Sequence, residues 1–549
     1  MFNKTLLVSV FATLTLNASI ENTTFLKDDF KITLEWLEEK PRSYAKDFFI
    51  IQFLQNENIK KDEALKALEM AKNQQGRVKQ AFSKNFTNLT DYEFDCFTSN
   101  LKLLLKKDDK CLALGLTLNE ATKIRRKTLK EEIIPRINDY PTLKNDLEIL
   151  LSNDRLKALK EENVNRFYRL FLQTNHNFRV WNFNKNYEDD FLQKLSLNND
   201  FTKFISIITN NDDFKTAQKS LLNFQINENV DFYTSFNLAI NAIKYEKNNK
   251  ALEFLENANK KAFYKMDKDN ILFWQYKLTN NKEYLEQLAS SWDNNIYSIY
   301  AKELLNQEIQ NISFNVQLKN QKSDFNYVNQ FEWIKVLDDV KTGVDDKKLE
   351  KYYNIFTDEN TLPHYVYILH KFHKFKKQYF ITPYEDVFNQ FELKDKVLMY
   401  SIAKQESNFI PSSISYATAQ GVMQIMPFLS EDLAKIKNEE YNVYHQFIPK
   451  TNIEYAKKHI DVLNKQFNNN ILMVAYAYNG GAGYLKSQLK KEIFKNKYKY
   501  DPFFSMELIS YEQTKKYGKK VLGNYLIYYN YLNKEEKITT NELLKMISL

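Results

Sequence analysis

Glu406 follows the apolar run 397–403 in "DKVLMYSIAKQE" and shortly precedes Pro411. Proline disfavours helix at the residue before it, Ile410, so the carboxylate belongs in or near the last turn of a buried helix. Apolar surroundings and the negative end of a helix dipole both favour the protonated carboxyl. A general acid working near neutral pH needs that shift. Tyr478 closes a second apolar run, "ILMVAYAY", and Asn479-Gly480-Gly481 after it supplies a sharp turn. Taken alone, a helix-end glutamate is ordinarily a salt-bridge partner, and such a tyrosine a core residue with a satisfied hydroxyl. The surrounding pattern has to decide.

That pattern is specific. "ESNFIPSSISYATAQGVMQIMP" resembles the catalytic signature of the soluble lytic murein transglycosylases. "AYNGGAG" resembles the second motif of that family and "MELISYEQTKKYGKKVL" the third, in the same order, so the resemblance covers roughly 380–532. It implies that Glu406 is the single catalytic acid and base, and that Ser415 contacts the substrate and the catalytic carboxylate. Gln424 and Met426 would be cleft-wall residues touching saccharide, with Met423 filling the adjacent wall. Tyr478 would hydrogen-bond the catalytic glutamate and Asn479 would be its polar neighbour. Glu507 matches the acid opening the third motif and Tyr517 its tyrosine; both are expected to bind substrate. The chain departs from the family pattern at Thr418 and Ala456, where glycines are usual, and in "EQTKKY".

The reaction implied is cleavage of the β-1,4 bond between N-acetylmuramic acid and N-acetylglucosamine without water, leaving a 1,6-anhydromuramoyl end. Most glycosidases use two carboxylates, and substrate-assisted enzymes are the exception. The motif around Glu406 offers no obvious second one. No metal or organic cofactor is implied, and the expected partner is the peptidoglycan glycan strand. Two other readings share these residues: a lysozyme-type hydrolase, and a non-catalytic peptidoglycan-binding scaffold.

The elements that would position this site follow from where glycine and proline fall. No glycine occurs between Gly115 and Gly343, and no proline between Pro141 and Pro363. Such a stretch, rich in Leu, Ala, Lys, Glu and Asn, predicts helix after helix. Phe236, Ile240 and Ile243 share one helical face, as do Leu252, Leu255, Ala258 and Ala262 after a break at Asn248–Asn249. No fixed repeat emerges. The expected fold is all-α: an irregular solenoid over 19–310, which the family resemblance suggests is a superhelical ring, a linker helical domain over 311–379, and a lysozyme-like catalytic domain over 380–549, where six of the nine glycines gather.

With 549 residues, 43% hydrophobic and 15% aromatic, the chain can build several cores, and its net charge of +8 suits an acidic polymer without the concentrated patch or module of a nucleic-acid binder. "MFNKTLLVSVFATLTLNAS" has the early cation, apolar stretch and small residues of a secretory signal peptide, ending near Ala18, which predicts export to the periplasm without a transmembrane anchor. In that compartment Cys96 and Cys111 can close a disulfide. His364, His370 and His373 lack a carboxylate or further ligand in step with them and read as packing or surface residues.

Overall fold

The computed structural model describes residues 23–27, 30–56, 58–86 and 91–548; the leader expected at 1–18 lies outside them. Among the described residues the regular elements are helices, apart from two short parallel strands, Ile312–Ser313 and Gln378–Tyr379. None of their helices is long and apolar enough to cross a membrane. The chain divides into two compact units, Met1–Asn85 with Ile312–Asp461, and Phe86–Asn311 with Val462–Leu549. Each draws on more than one of the segments expected from the sequence.

The first unit holds the helix Leu393–Glu406, with Val397 to Ala403 all buried. Its position is fixed from several sides. Tyr400 stacks on Phe388 at 4.1 Å, and Lys457 pairs with Asp395 at 3.1 Å. Lys404 Nζ donates to the Tyr379 carbonyl at 2.6 Å, and burial pushes its ammonium down to about 8. A neighbouring core of Trp333, Val336, Val340, Tyr352, Phe356, Tyr365 and Ile368 reaches Ile410, just past the helix. The early chain packs back on the same unit: Phe25, Phe48 and Phe49 meet Phe447 and Tyr444, and Trp36 and Phe49 meet Phe331.

In the second unit, Phe232–Lys244 and Asn248–Lys261 are consecutive helices, as the periodicity predicts. The joint between them falls at Tyr245–Lys247, where Glu246 takes a left-handed conformation, rather than at the asparagine pair that begins the next helix. Cys96 and Cys111 are joined as a disulfide. Gly115 lies so close that a Cβ there would meet the Cys96 carbonyl at 2.4 Å. The last long helix, Glu512–Leu532, packs on Ile471–Gly480 at Gly518, where a side chain would strike the Tyr476 ring, and on Ile296–Leu304 at Gly523.

Candidate active site

Glu406 is the last residue of its helix and is half-buried. Ser407, which caps the helix, is buried and donates its hydroxyl to the Val422 carbonyl at 2.6 Å. Asn408 and Phe409 then turn through left-handed conformations, and Tyr384 Oη donates to the Phe409 carbonyl at 3.1 Å. This reversal delivers the chain into a small antiparallel arrangement in which Gln420 bridges to both Ile414 and Ile425. Backbone bonds from Gln420 N to Ile425 O (2.9 Å), and back from Ile425 N to Gln420 O (3.0 Å), close it. The serine, glutamine and methionine positions of the motif are thereby held on one short ladder beside the end of the glutamate's helix.

Gly421 shows why that ladder needs a glycine. Its φ is +77°, and a Cβ would lie 2.3 Å from the Gln446 carbonyl and 2.7 Å from the Asn452 side chain. Asn452 is the organiser of this corner. Its Oδ1 accepts from Met423 N (2.7 Å), and its Nδ2 donates to the Gln420 carbonyl and to Gln446 Oε1 (both 3.1 Å). The only hint of it in the sequence is its place four residues before Ala456, one of the positions where the family pattern has glycine; nothing local says that its amide pins a loop earlier in the chain.

Ser415 Oγ accepts from Ala419 N at 3.0 Å, which tightens the turn and leaves the hydroxyl proton to be donated. Gln424 is half-buried; its amide nitrogen donates to the Ser413 and Gly421 carbonyls at 3.1 and 2.9 Å, so the side chain is oriented by its own loop. Met426 is half-buried at the start of the helix Pro427–Lys437. Met423 differs from expectation: it is completely buried, a core side chain behind the ladder with no surface for a saccharide. Tyr416 and Phe428 are the exposed aromatic residues of this stretch.

Tyr478, Asn479, Glu507 and Tyr517 belong to the second unit. Tyr478 and Asn479 are half-buried, and Asn479 Oδ1 accepts from Thr514 Oγ1 at 2.9 Å. Tyr517 is buried. Glu507, expected to bind substrate, is instead an internal anchor with 0% exposure. It accepts from Lys519 Nζ (2.6 Å), Tyr297 Oη (3.0 Å) and Trp274 Nε1 (3.3 Å). Burial pushes its carboxyl up, but the Lys519 and Lys515 ammonium groups outweigh that and hold it below the ordinary carboxylate range. A carboxylate so enclosed fixes helices together and has nothing to offer a ligand.

The histidines of "HYVYILHKFHKF" are packing residues. His364 is enclosed by the rings of Phe325, Trp333 and Phe356, and burial pushes it down to about 3, as it does His370. Among the described residues no group of three or more His, Cys, Asp or Glu side chains could hold a metal ion.

Comparison with known families finds a likeness over this part of the chain. Residues 389–501 match the transglycosylase SLT domain. The match takes in the Glu406 stretch and the Ala477–Gly483 motif and stops before Glu507. Over 167 residues the chain is 29% identical to the soluble lytic murein transglycosylase of Salmonella typhimurium, covering 30% of this chain and 25% of that protein. Over 146 residues it is 32% identical to a putative soluble lytic murein transglycosylase of Haemophilus influenzae, covering 26% and 23%. The likeness therefore spans about a quarter of the length of these curated relatives. A solved structure, the 70 kDa soluble lytic transglycosylase of Escherichia coli, aligns over 91% of this chain and 82% of its own at 18% identity, with a TM-score of 0.45.

Proposed function

We propose that the chain is a lytic transglycosylase of peptidoglycan, exported to the periplasm by the leader at 1–18, with Glu406 as its acid and then its base. The observation that carries this reading is the setting of Glu406 inside the SLT domain: a half-buried carboxyl ending a buried helix, beside a loop ladder that orients Ser415 and Gln424.

In the first step the Glu406 carboxyl gives its proton to the glycosidic oxygen as the bond from that oxygen to C1 of N-acetylmuramic acid breaks. The substrate's own 2-acetamido oxygen closes on C1, so positive charge is carried as an oxazolinium rather than by a second enzymic carboxylate. Glu406, now ionised, removes the proton from the C6 hydroxyl, and that oxygen displaces the acetamido oxygen at C1. The acid is regenerated and the product carries a 1,6-anhydro ring. Ser415, Gln424, Met426, Tyr478 and Asn479 are the proposed substrate-binding residues. The proposed division of labour keeps 19–310 as the solenoid, 311–379 as the linker and 380–549 as the catalytic segment.

A digest of purified peptidoglycan by the mature protein, run beside Glu406→Gln and analysed by mass spectrometry, tests this. Fragments roughly 18 mass units (one water) lighter than those from a hydrolase, and absent with the variant, are expected. Equal product from the variant would remove Glu406 from the mechanism.

A further inference from the structure

The helical part of the second unit carries a row of open concavities unrelated to Glu406. One, of about 640 Å³, is lined by Lys123, Asn175, Asn177 and Phe178; the next, of about 750 Å³, by Asn153, Lys157 and Lys185; a third, of about 350 Å³, by Lys215 and Lys219. The first two share Arg155, Trp181 and Asn182, and the second and third share Asn186, so the row is one groove.

Three features of its lining are unusual together. Trp181 is 79% exposed, a large apolar ring left in water at the junction of two hollows. Beside it, Arg155 is preset: Nε and Nη2 donate to the Leu150 carbonyl (2.9 and 2.7 Å) and Nη1 to Asn182 Oδ1 (2.8 Å), leaving its remaining N–H groups for a ligand. Finally, Lys123, Lys157, Lys185, Lys215 and Lys219 all line the groove without a carboxylate in ion-pair range among the described residues. The acidic residues of the lining are Asp154 and Glu161, and Asp154 is occupied in capping a helix through Lys157 N. The field of the groove is therefore positive.

We propose that this groove binds a strand of carboxylate-bearing glycan, with the Trp181 ring on a sugar face, the asparagine amides on hydroxyl and acetamido groups, and the lysines opposite carboxylates. An indole offers an apolar face with a polar edge, and unpaired ammonium groups confer affinity for anions that falls with salt. The inference rests on the substrate class proposed above and extends it to a holding site apart from the catalytic residues.

The test uses the full chain carrying Glu406→Gln, so that strands are held and not consumed, and end-labelled soluble peptidoglycan strands as the probe, followed by fluorescence anisotropy at several salt concentrations. Adding Trp181→Ala weakens binding about tenfold. Adding Lys185→Ala with Lys219→Ala weakens it several-fold at low salt and flattens the salt dependence. Chitin oligosaccharides, which share the acetamido sugars and lack carboxylates, bind more weakly and do not respond to the lysine replacements. Unchanged strand affinity in both variants overturns the proposal. So does duplex DNA that binds as tightly as the strands and displaces them, since the surface is then a general polyanion site. The reaction itself is read separately, from the products of the chain with Glu406 intact. Absence of anhydro products would fail that reading and leave strand binding to decide the groove.

Discussion

Thr418 stands where the family resemblance leads one to expect glycine, and its φ is +68°. A β-branched side chain in the left-handed region is strained, by about 1–2 kcal/mol. Thr418→Gly should therefore raise the unfolding midpoint in thermal melts, with a net gain of about 0.5–1 kcal/mol once glycine's greater unfolded-state freedom is deducted. Glu507 tests the opposite case. Replacing it with Gln leaves Lys519 buried and unpaired and should cost about 3–5 kcal/mol in denaturant unfolding, while Glu507→Met with Lys519→Met recovers the part due to the unpaired ammonium and leaves the Tyr297 and Trp274 donors without their acceptor. If Glu507 touched substrate, KM would rise in the double variant; its burial predicts that KM stays where it is. The role of this residue was not legible in the sequence because its partners Trp274 and Tyr297 lie more than two hundred positions away. Met423 misleads for a related reason: its motif partners Gln424 and Met426 reach the surface, whereas Met423, like Val422 and Ile425, belongs to the core, and only the ladder geometry tells the two sets apart.

At the scale of elements, the helix Leu393–Glu406 and the paired helices Phe232–Lys244 and Asn248–Lys261 were readable from apolar spacing and from the missing glycines and prolines. The loop ladder was not, since its bridges depend on a chain reversal at Asn408–Phe409 and on Asn452 from the helix Pro449–Gln466. Another strut reaches the same loop from the helix Leu362–Phe372, where His364 Nε2 lies 3.5 Å from Ser412 Oγ, next to Pro411. His364 is held at about 3 by burial, well under the ordinary histidine value. Between about pH 6.5 and 3 the unfolded chain takes up the proton that the folded chain refuses. The stability from burying neutral imidazole is thus present above about 6.5 and is lost as pH falls, by up to ~1.4 kcal/mol per pH unit for each such group. Melting temperatures measured from pH 7 down to pH 4 should fall, and less steeply in His364→Leu. An equal slope in the variant would assign the acid sensitivity to His370 and His459, which burial likewise pushes down.

For the whole molecule, the catalytic motifs carry the functional reading, whereas the long helical stretch speaks through its surface. The all-α class and the stretch that matches the SLT domain were accessible from sequence because both reside in local pattern. The division into two compact units was not, since it depends on early residues such as Phe25 and Trp36 folding against Tyr444 and Phe331. In the proposed reaction one carboxylate does two jobs and no water enters at C1. Digestion of peptidoglycan in oxygen-18 water separates that course from hydrolysis. The expected products are 1,6-anhydro ends free of the label, formed only when Glu406 is intact. Label at C1 of reducing ends would contradict it and show a hydrolase, with water taking the place here assigned to the C6 hydroxyl.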